Sequence, residues 1–291
     1  MDLVRICLVG SGRAGMVHGR NFANVIPGTK VVAVVDEVES TRAAAAEELK
    51  AQGHFATLDD ALNGADFDAV VIATPTFTHH RLTTMAARAS KHVFCEKPIA
   101  ITVAETLDMI RVTRQAGVVL QIGFMRRFDE EFAEVRNLIE QGAIGDPVII
   151  RSTTRGPGLP PPWAWDTAKS NGMLAEVNSH DFDCIRWLAG SEYTQVFARV
   201  KARKAEEPKR LHSDFYDVAI VSAELENGAL GSIEGGCPVD YGYDARVEVL
   251  GTRGILTAGE VAQGTVVQVT QDGQVRRNTF RSWRNRFRAG Y

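Results

Sequence analysis

The chain has 291 residues, 45% of them hydrophobic and 24% charged, which is the composition of an ordinary soluble globular protein with enough length for two hydrophobic cores. A net charge of −3 and a pI near 6.2 supply no basic field for a nucleic-acid backbone, so nucleic acid is excluded as the expected partner. Met1-Asp2-Leu3-Val4-Arg5 lacks the features of a signal peptide and no apolar run approaches a membrane span, so no membrane partner and a cytoplasmic location are expected.

Val4 to Val9, Lys30 to Asp36, Ala69 to Ala73, His92 to Cys95 and Val118 to Ile122 predict strands of continuous apolar character, as found where a parallel sheet is buried on both faces. Helical patterns lie between them, at Ala14 to Val25, Thr41 to Ala51, His79 to Ala89 and Val103 to Gln115. Repeated βαβ of this kind predicts an α/β Rossmann domain, a doubly wound parallel sheet, over residues 1–122. After Gly123 the rhythm changes. A helix at Glu130 to Gln141, a strand at Val148 to Thr154 and a Gly/Pro-rich loop from Gly156 to Pro162 precede one helix from Asn171 to Leu188. Strands with turn signals follow, at Glu226-Asn227-Gly228, Gly251-Thr252-Arg253-Gly254 and Gln271-Asp272-Gly273, and predict an α+β domain with a mainly antiparallel sheet over residues 123–291.

Gly10-Ser11-Gly12-Arg13-Ala14-Gly15 is a G-x-G-x-x-G set between a strand and a helix. The first glycine permits the turn, the second lets a pyrophosphate approach the backbone, and the third allows close helix packing, while the helix N-terminus offers free N–H groups to the anion. Asp36 ends the second strand, where a carboxylate accepts hydrogen bonds from ribose hydroxyls and repels a 2′-phosphate; this favours NAD over NADP. Thr74 and Pro75 end the strand from Ala69 at the edge where open α/β sheets bind ligands, and are expected to line the cofactor; a strand-terminating proline is the alternative.

Glu96-Lys97-Pro98 follows the strand from His92 at the same kind of edge. The Lys97 ammonium there can stabilise the charge that develops on a hydroxyl oxygen, with Glu96 beside the cofactor holding the lysine; a surface ion pair is the plainer reading. On the helix from Asn171, Glu176 and His180 are four residues apart and share an apolar face, which makes them a candidate acid–base pair. A satisfied core histidine is one alternative, and a metal site from Glu176, His180 and Asp183 another, ranked last because no cysteine or histidine cluster accompanies it. No metal is expected. Cys7, Cys95, Cys184 and Cys237 form no CxxC and read as packing residues. Trp163 and Trp165 offer an apolar platform for a sugar ring or simple packing, and of Arg126-Arg127 one can reach a polyol hydroxyl while the other is structural.

Together the fingerprint, Glu96-Lys97-Pro98, the segment from Gly123 to Asp129, the Glu176-to-His180 helix and Tyr241-Gly242-Tyr243-Asp244 resemble the glucose-fructose oxidoreductase and inositol dehydrogenase (Gfo/Idh/MocA) family, most closely its inositol 2-dehydrogenases. The resemblance implies a Rossmann domain followed by an α+β domain whose open sheet mediates a homo-oligomer, dimer or tetramer. It implies NAD-dependent oxidation of a secondary alcohol on a cyclic polyol or sugar, with Lys97 at the reacting oxygen, His180 as general acid/base and Arg127 and Tyr241 facing the substrate. Glu176 stands where most of these dehydrogenases carry aspartate, and Thr154-Arg155-Gly156 replaces the usual His-Arg-Asn, which separates the chain from the myo-inositol pattern. Family members also continue into further helices beyond Trp283-Arg284-Asn285-Arg286-Phe287, so the C-terminus reads as short for the family. NAD-assisted sugar elimination or hydrolysis with transient oxidation, and a non-catalytic NAD-binding regulatory protein, are the competing functions.

Overall fold

Short β-branched runs alternating with amphipathic helices leave each strand two apolar faces to bury, and the computed structural model, which describes residues 3–259, 265–270 and 273–278, shows how they do so. The chain divides at Gly123 into two units. The first contains β1 (Val4–Val9), α1 (Arg13–Asn24), β2 (Thr29–Val35), α2 (Glu39–Leu49), β3 (Gly53–Phe55), α3 (Leu58–Gly64), β4 (Ala69–Ile72), α4 (His79–Arg88), β5 (His92–Cys95), α5 (Val103–Ala116) and β6 (Leu120–Ile122). Its strands are parallel throughout, in the order β3-β2-β1-β4-β5-β6. Alternate residues enter two cores: Cys7, Val9, Val70 and Ile72 on one face, Ile6, Leu8, Val34 and Val71 on the other. Strand order reverses between β1 and β4, the switch point at which such sheets bind ligands beyond the strands' carboxyl ends. The short β3 and α3 were not among the expected elements.

The second unit contains α6 (Glu130–Glu140), β7 (Pro147–Pro157), α7 (Thr167–Ser170), α8 (Gly172–Glu176), α9 (Ser179–Ala189), β8 (Tyr193–Lys201), α10 (Glu206–Leu211), β9 (Val218–Leu225), β10 (Leu230–Val239), β11 (Asp244–Gly251), β12 (Gly254–Ala258), β13 (Thr265–Thr270) and β14 (Gly273–Asn278). Its eight strands run in the order β14-β13-β12-β11-β7-β10-β9-β8, antiparallel except where β10 lies parallel to β7. One face packs on α6 and α9, with Phe132, Val135 and Leu138 against Cys184, Ile185, Leu188, Ile150 and Val249. The other leaves Phe197, Ile220 and Leu230 exposed.

One expectation is corrected here. The helix predicted from Asn171 to Leu188 is two helices, α8 and α9, interrupted at Val177-Asn178. Asn171 has φ 58° and Gly172 φ 75°, so the predicted helix cannot start at Asn171. Glu176 and His180 therefore do not share one continuous helical face. The turn residues Gln271-Asp272 and the segment Trp283 to Phe287 lie outside the described residues.

Candidate active site

In the first unit the fingerprint turn is fixed by backbone crowding. Gly10 has φ 87°, and a Cβ there would come within 2.6 Å of the Ala73 carbonyl oxygen; a Cβ on Gly15 would stand 1.9 Å from the Gly10 oxygen. Gly12 is different: a Cβ there would meet nothing within 4 Å, and Gly12, Arg13 and Ala14 are exposed where α1 begins. Open space over the second glycine, in front of unpaired helix N–H groups, suits a pyrophosphate. Asp36, at the end of β2, is tied to the turn. One of its carboxylate oxygens accepts from the Ser11 N–H at 2.9 Å and the Ser11 hydroxyl at 3.0 Å, and the other from the Val38 N–H at 3.0 Å.

Thr74 follows β4 and is half-buried, with its hydroxyl 2.6 Å from that of Thr78, which in turn donates to the Pro75 carbonyl. At the end of β5, Glu96 is buried. Its carboxylate contacts Nε2 of His18 at 2.6 Å and accepts the Lys97 backbone N–H at 3.0 Å. Burial pushes the Glu96 carboxyl up, but the His18 hydrogen bond and the charges of His18 and Lys97 outweigh it and hold the group below its ordinary value. Lys97 is half-buried beside it. Burial pushes the Cys95 thiol far up, and all four cysteines are buried and free, so Cys95 stands as a core residue.

Two histidines that sequence reasoning passed over belong to this region. His18 projects from α1, and His79 opens α4 with Nδ1 2.8 Å from the Pro98 carbonyl oxygen and Nε2 2.9 Å from that of Thr74. His18 falls eight residues after Gly10 on the helix that the fingerprint opens, which was the available signal; its partner is 78 residues away.

In the second unit His180 is 8% exposed, in the first turn of α9, with its ring edge-on to Phe124 at 6.2 Å. Beneath it Asp181 is fully buried and accepts from Arg126 at 2.8 Å, from Asn178 at 2.7 Å, and from the hydroxyls of Ser152 and Thr154. Burial pulls the Arg126 guanidinium down, yet the surrounding interactions, led by the charge of Asp181, together outweigh this and hold it above its ordinary value. Arg126 is thus the structural arginine of the pair. Thr154 spends its hydroxyl on Arg126 and Asp181 inside the core.

Arg127 makes a bidentate ion pair with Asp183, at 2.9 and 2.8 Å, and lies over the Trp187 ring. Tyr241 is exposed and donates to the buried Asp244 at 2.9 Å, within reach of Arg155. Trp163 is half-buried in a 3₁₀ turn, while Trp165 is buried against Ala205 and Phe215 and donates to the Pro160 carbonyl. Glu176 lines a small apolar pocket with Trp165, Met173, Phe215, Tyr216 and Cys237. Among the described residues no group of three or more His, Cys, Asp or Glu is arranged to hold a metal ion, and no helix is long and apolar enough to cross a membrane.

A parallel sheet with a glycine turn after its first strand and an acidic end to its second defines a dinucleotide-binding protein. Residues 4–124 match the model described as oxidoreductase family, NAD-binding Rossmann fold, and residues 132–257 match the GFO/IDH/MocA C-terminal domain. The chain belongs to the Gfo/Idh/MocA family of NAD-binding oxidoreductases. It is 36% identical to the uncharacterized oxidoreductase YrbE of Bacillus subtilis over 91% of this chain and 76% of that protein. It is 35% identical to myo-inositol 2-dehydrogenase of Thermotoga maritima, over 93% and 79% of the two chains. Among solved structures, scyllo-inositol dehydrogenase from Lactobacillus casei with bound NAD(H) and scyllo-inositol aligns with TM-score 0.84 and 30% identity, covering 98% of this chain and 85% of that one. The open space at Gly12 and the carboxylate at Asp36 fit NAD.

Proposed function

We propose that this chain oxidises a secondary alcohol on a cyclic polyol or sugar, of inositol or pyranose type, to the ketone. The observation that carries the reading is the place of Lys97. It leaves the carboxyl end of β5, on the sheet edge that also carries the glycine turn after β1 and Thr74 after β4. Relatives named as myo-inositol and scyllo-inositol dehydrogenases support the substrate class.

NAD, when bound, supplies the acceptor for the hydride that leaves the carbinol carbon. His180 takes the hydroxyl proton as general base, leaving the oxygen's electron pair to form the carbonyl; in reverse it returns that proton. The Lys97 ammonium donates a hydrogen bond to the same oxygen and stabilises the charge that develops there. Glu176 supplies a second carboxylate near His180 in sequence, on the other side of the break at Val177-Asn178. Arg127, Trp163 and Tyr241 are assigned to the substrate ring, Arg127 being held in place by its bidentate pair with Asp183.

The test is NAD-linked absorbance over inositols, pyranoses and glycosides, with NADP in parallel, on the parent, Lys97→Ala and His180→Ala. Stoichiometric NADH from the parent, with kcat reduced at least a hundredfold in both variants, is the expected result. Product turnover without NADH accumulation, or full kcat in both variants, would overturn it. The exposed sheet face with Phe197 and Ile220, 59% and 65% exposed, supports a homo-oligomer, and light scattering of Phe197→Glu/Ile220→Glu should report a smaller species than the parent.

A further inference from the structure

Lys97 sits between two residues that are each gripped by a buried histidine. On its N-terminal side, Glu96 contacts His18 at 2.6 Å and accepts the N–H of Lys97 itself at 3.0 Å, so one carboxylate joins helix α1 to the lysine's own peptide. On its C-terminal side, the Pro98 carbonyl lies 2.8 Å from Nδ1 of His79, whose Nε2 lies 2.9 Å from the Thr74 carbonyl. Both imidazoles are 1% exposed, and both come from helices that start at cofactor-facing turns: α1 after the glycine fingerprint, α4 after Thr74-Pro75.

The groups are also tightly confined. A Cβ on Gly123 would stand 3.1 Å from the Glu96 carboxylate, and the His18 ring packs edge-on against Phe94 at 5.1 Å. A neutral His79 donates to one of its two carbonyls and an imidazolium to both. A phenylalanine would keep the volume of either ring and remove its hydrogen bonds. Holding a side chain within about half an ångström of its productive place requires partners that are themselves locked.

We infer that His18 and His79 are positioning residues that brace Lys97 from both sides and tie it to the turns that receive the nucleotide. Neither ring reaches the reacting atoms in this account; His18 acts through the Glu96 carboxylate and His79 through the Pro98 carbonyl. The inference rests on the reading of Lys97 as the group at the reacting oxygen.

The experiment uses His18→Phe, His18→Gln, His79→Phe and His79→Asn in the full chain, alone and with Lys97→Ala. Melting curves identify folded variants, the Gln and Asn forms serving if a Phe form fails to fold. Two readouts follow: kcat and KM for NAD, and backbone hydrogen exchange across residues 95–98 without cofactor, read at the amides of Cys95, Glu96 and Lys97 since Pro98 carries no N–H. The expected result is a fall in kcat of at least tenfold in the Phe variants, KM for NAD within threefold, and faster exchange at 95–98 with β1 unchanged. His18→Gln, whose amide can still donate to Glu96, recovers most of the loss. In the Lys97→Ala background each histidine substitution lowers kcat by less than twofold further, because the brace then has nothing to place. Histidine variants that keep kcat within twofold of the parent, or that multiply fully with Lys97→Ala, would overturn the inference. Full kcat in Lys97→Ala alone would instead remove the assignment of Lys97, and unchanged exchange at 95–98 would then remove the brace as well.

Discussion

Arg126 and Asp181 form an ion pair with 1% and 0% of their side chains exposed, one residue from His180. Asp181 sits in the first turn of α9, and Arg126 reaches it across the hydroxyls of Ser152 and Thr154 on β7. Two charges taken so far from water hold only while each has the other. Asp181→Leu should therefore cost about 3–5 kcal/mol, since it strands a buried guanidinium. Arg126→Met/Asp181→Leu should recover a large part of that loss. Urea unfolding of both variants at pH 7 measures the two values, and a double variant no more stable than the single one would contradict the account.

The two outer glycines of the fingerprint and the middle one should fail in different ways. In Gly15→Ala the new methyl meets the Gly10 carbonyl at 1.9 Å, so the turn must move, and a loss of about 1–3 kcal/mol of stability is expected. Gly12→Ala meets no protein atom within 4 Å. It should change stability by less than about 1 kcal/mol yet raise the NAD dissociation constant at least about tenfold, or roughly 1.4 kcal/mol. Melting curves and calorimetric titration separate the two.

Asp36→Ala removes the acceptor expected for the adenosine ribose and the charge that repels a 2′-phosphate. NAD affinity should fall about tenfold and NADP affinity should rise, which titration with each nucleotide reports directly. Equal losses for both would show that the carboxylate merely supports Ser11.

Acid should weaken the contact at Glu96. Its carboxyl is held below the ordinary value, so the stability it contributes is present above the unfolded value near 4.5 and is lost as pH falls through the lower, folded one. Glu96→Gln should be less stable than the parent at pH 7 by about 1–3 kcal/mol, and the gap should narrow steadily as pH falls below the unfolded value near 4.5. A gap that stays constant from pH 7 to pH 3 in urea unfolding would show that Glu96 is not charged in the fold.

Much of this fold was written in local patterns. Val4–Val9 and His92–Cys95 form strands with the bounds their apolar runs predict, because Ile6 to Val9 and Val93 to Cys95 pack into the sheet's cores while the polar Arg5 and His92 stay at the less buried start of each strand. The helix predicted across Asn171 to Leu188 failed because its periodicity ignores Asn178, whose amide is drawn to Asp181 and to the Thr154 carbonyl. The site was legible where geometry is local, as in the glycine turn, whose Gly10 and Gly15 leave no room for a side chain. It was silent about His18, His79 and the Arg126 network, since those partners meet only after strands distant in sequence pair: Ser152 and Asp181 are 29 residues apart, His18 and Glu96 78. A histidine's ring says nothing of which carbonyl or carboxylate it will face.

Asp36 bears on how quickly the enzyme can exchange its nucleotide. A carboxylate offers about four lone-pair directions, and here Ser11 takes two hydrogen bonds and Val38 a third. A ribose diol arriving with two hydroxyl donors finds about one direction vacant, so one of the internal donors, most simply the rotatable Ser11 hydroxyl, must turn away. Cofactor capture thus trades one bond for another rather than adding two. With the ribose bound at Asp36 as expected, the same hydroxyl would stand ready to return as the nucleotide leaves, which would lower the barrier to dissociation.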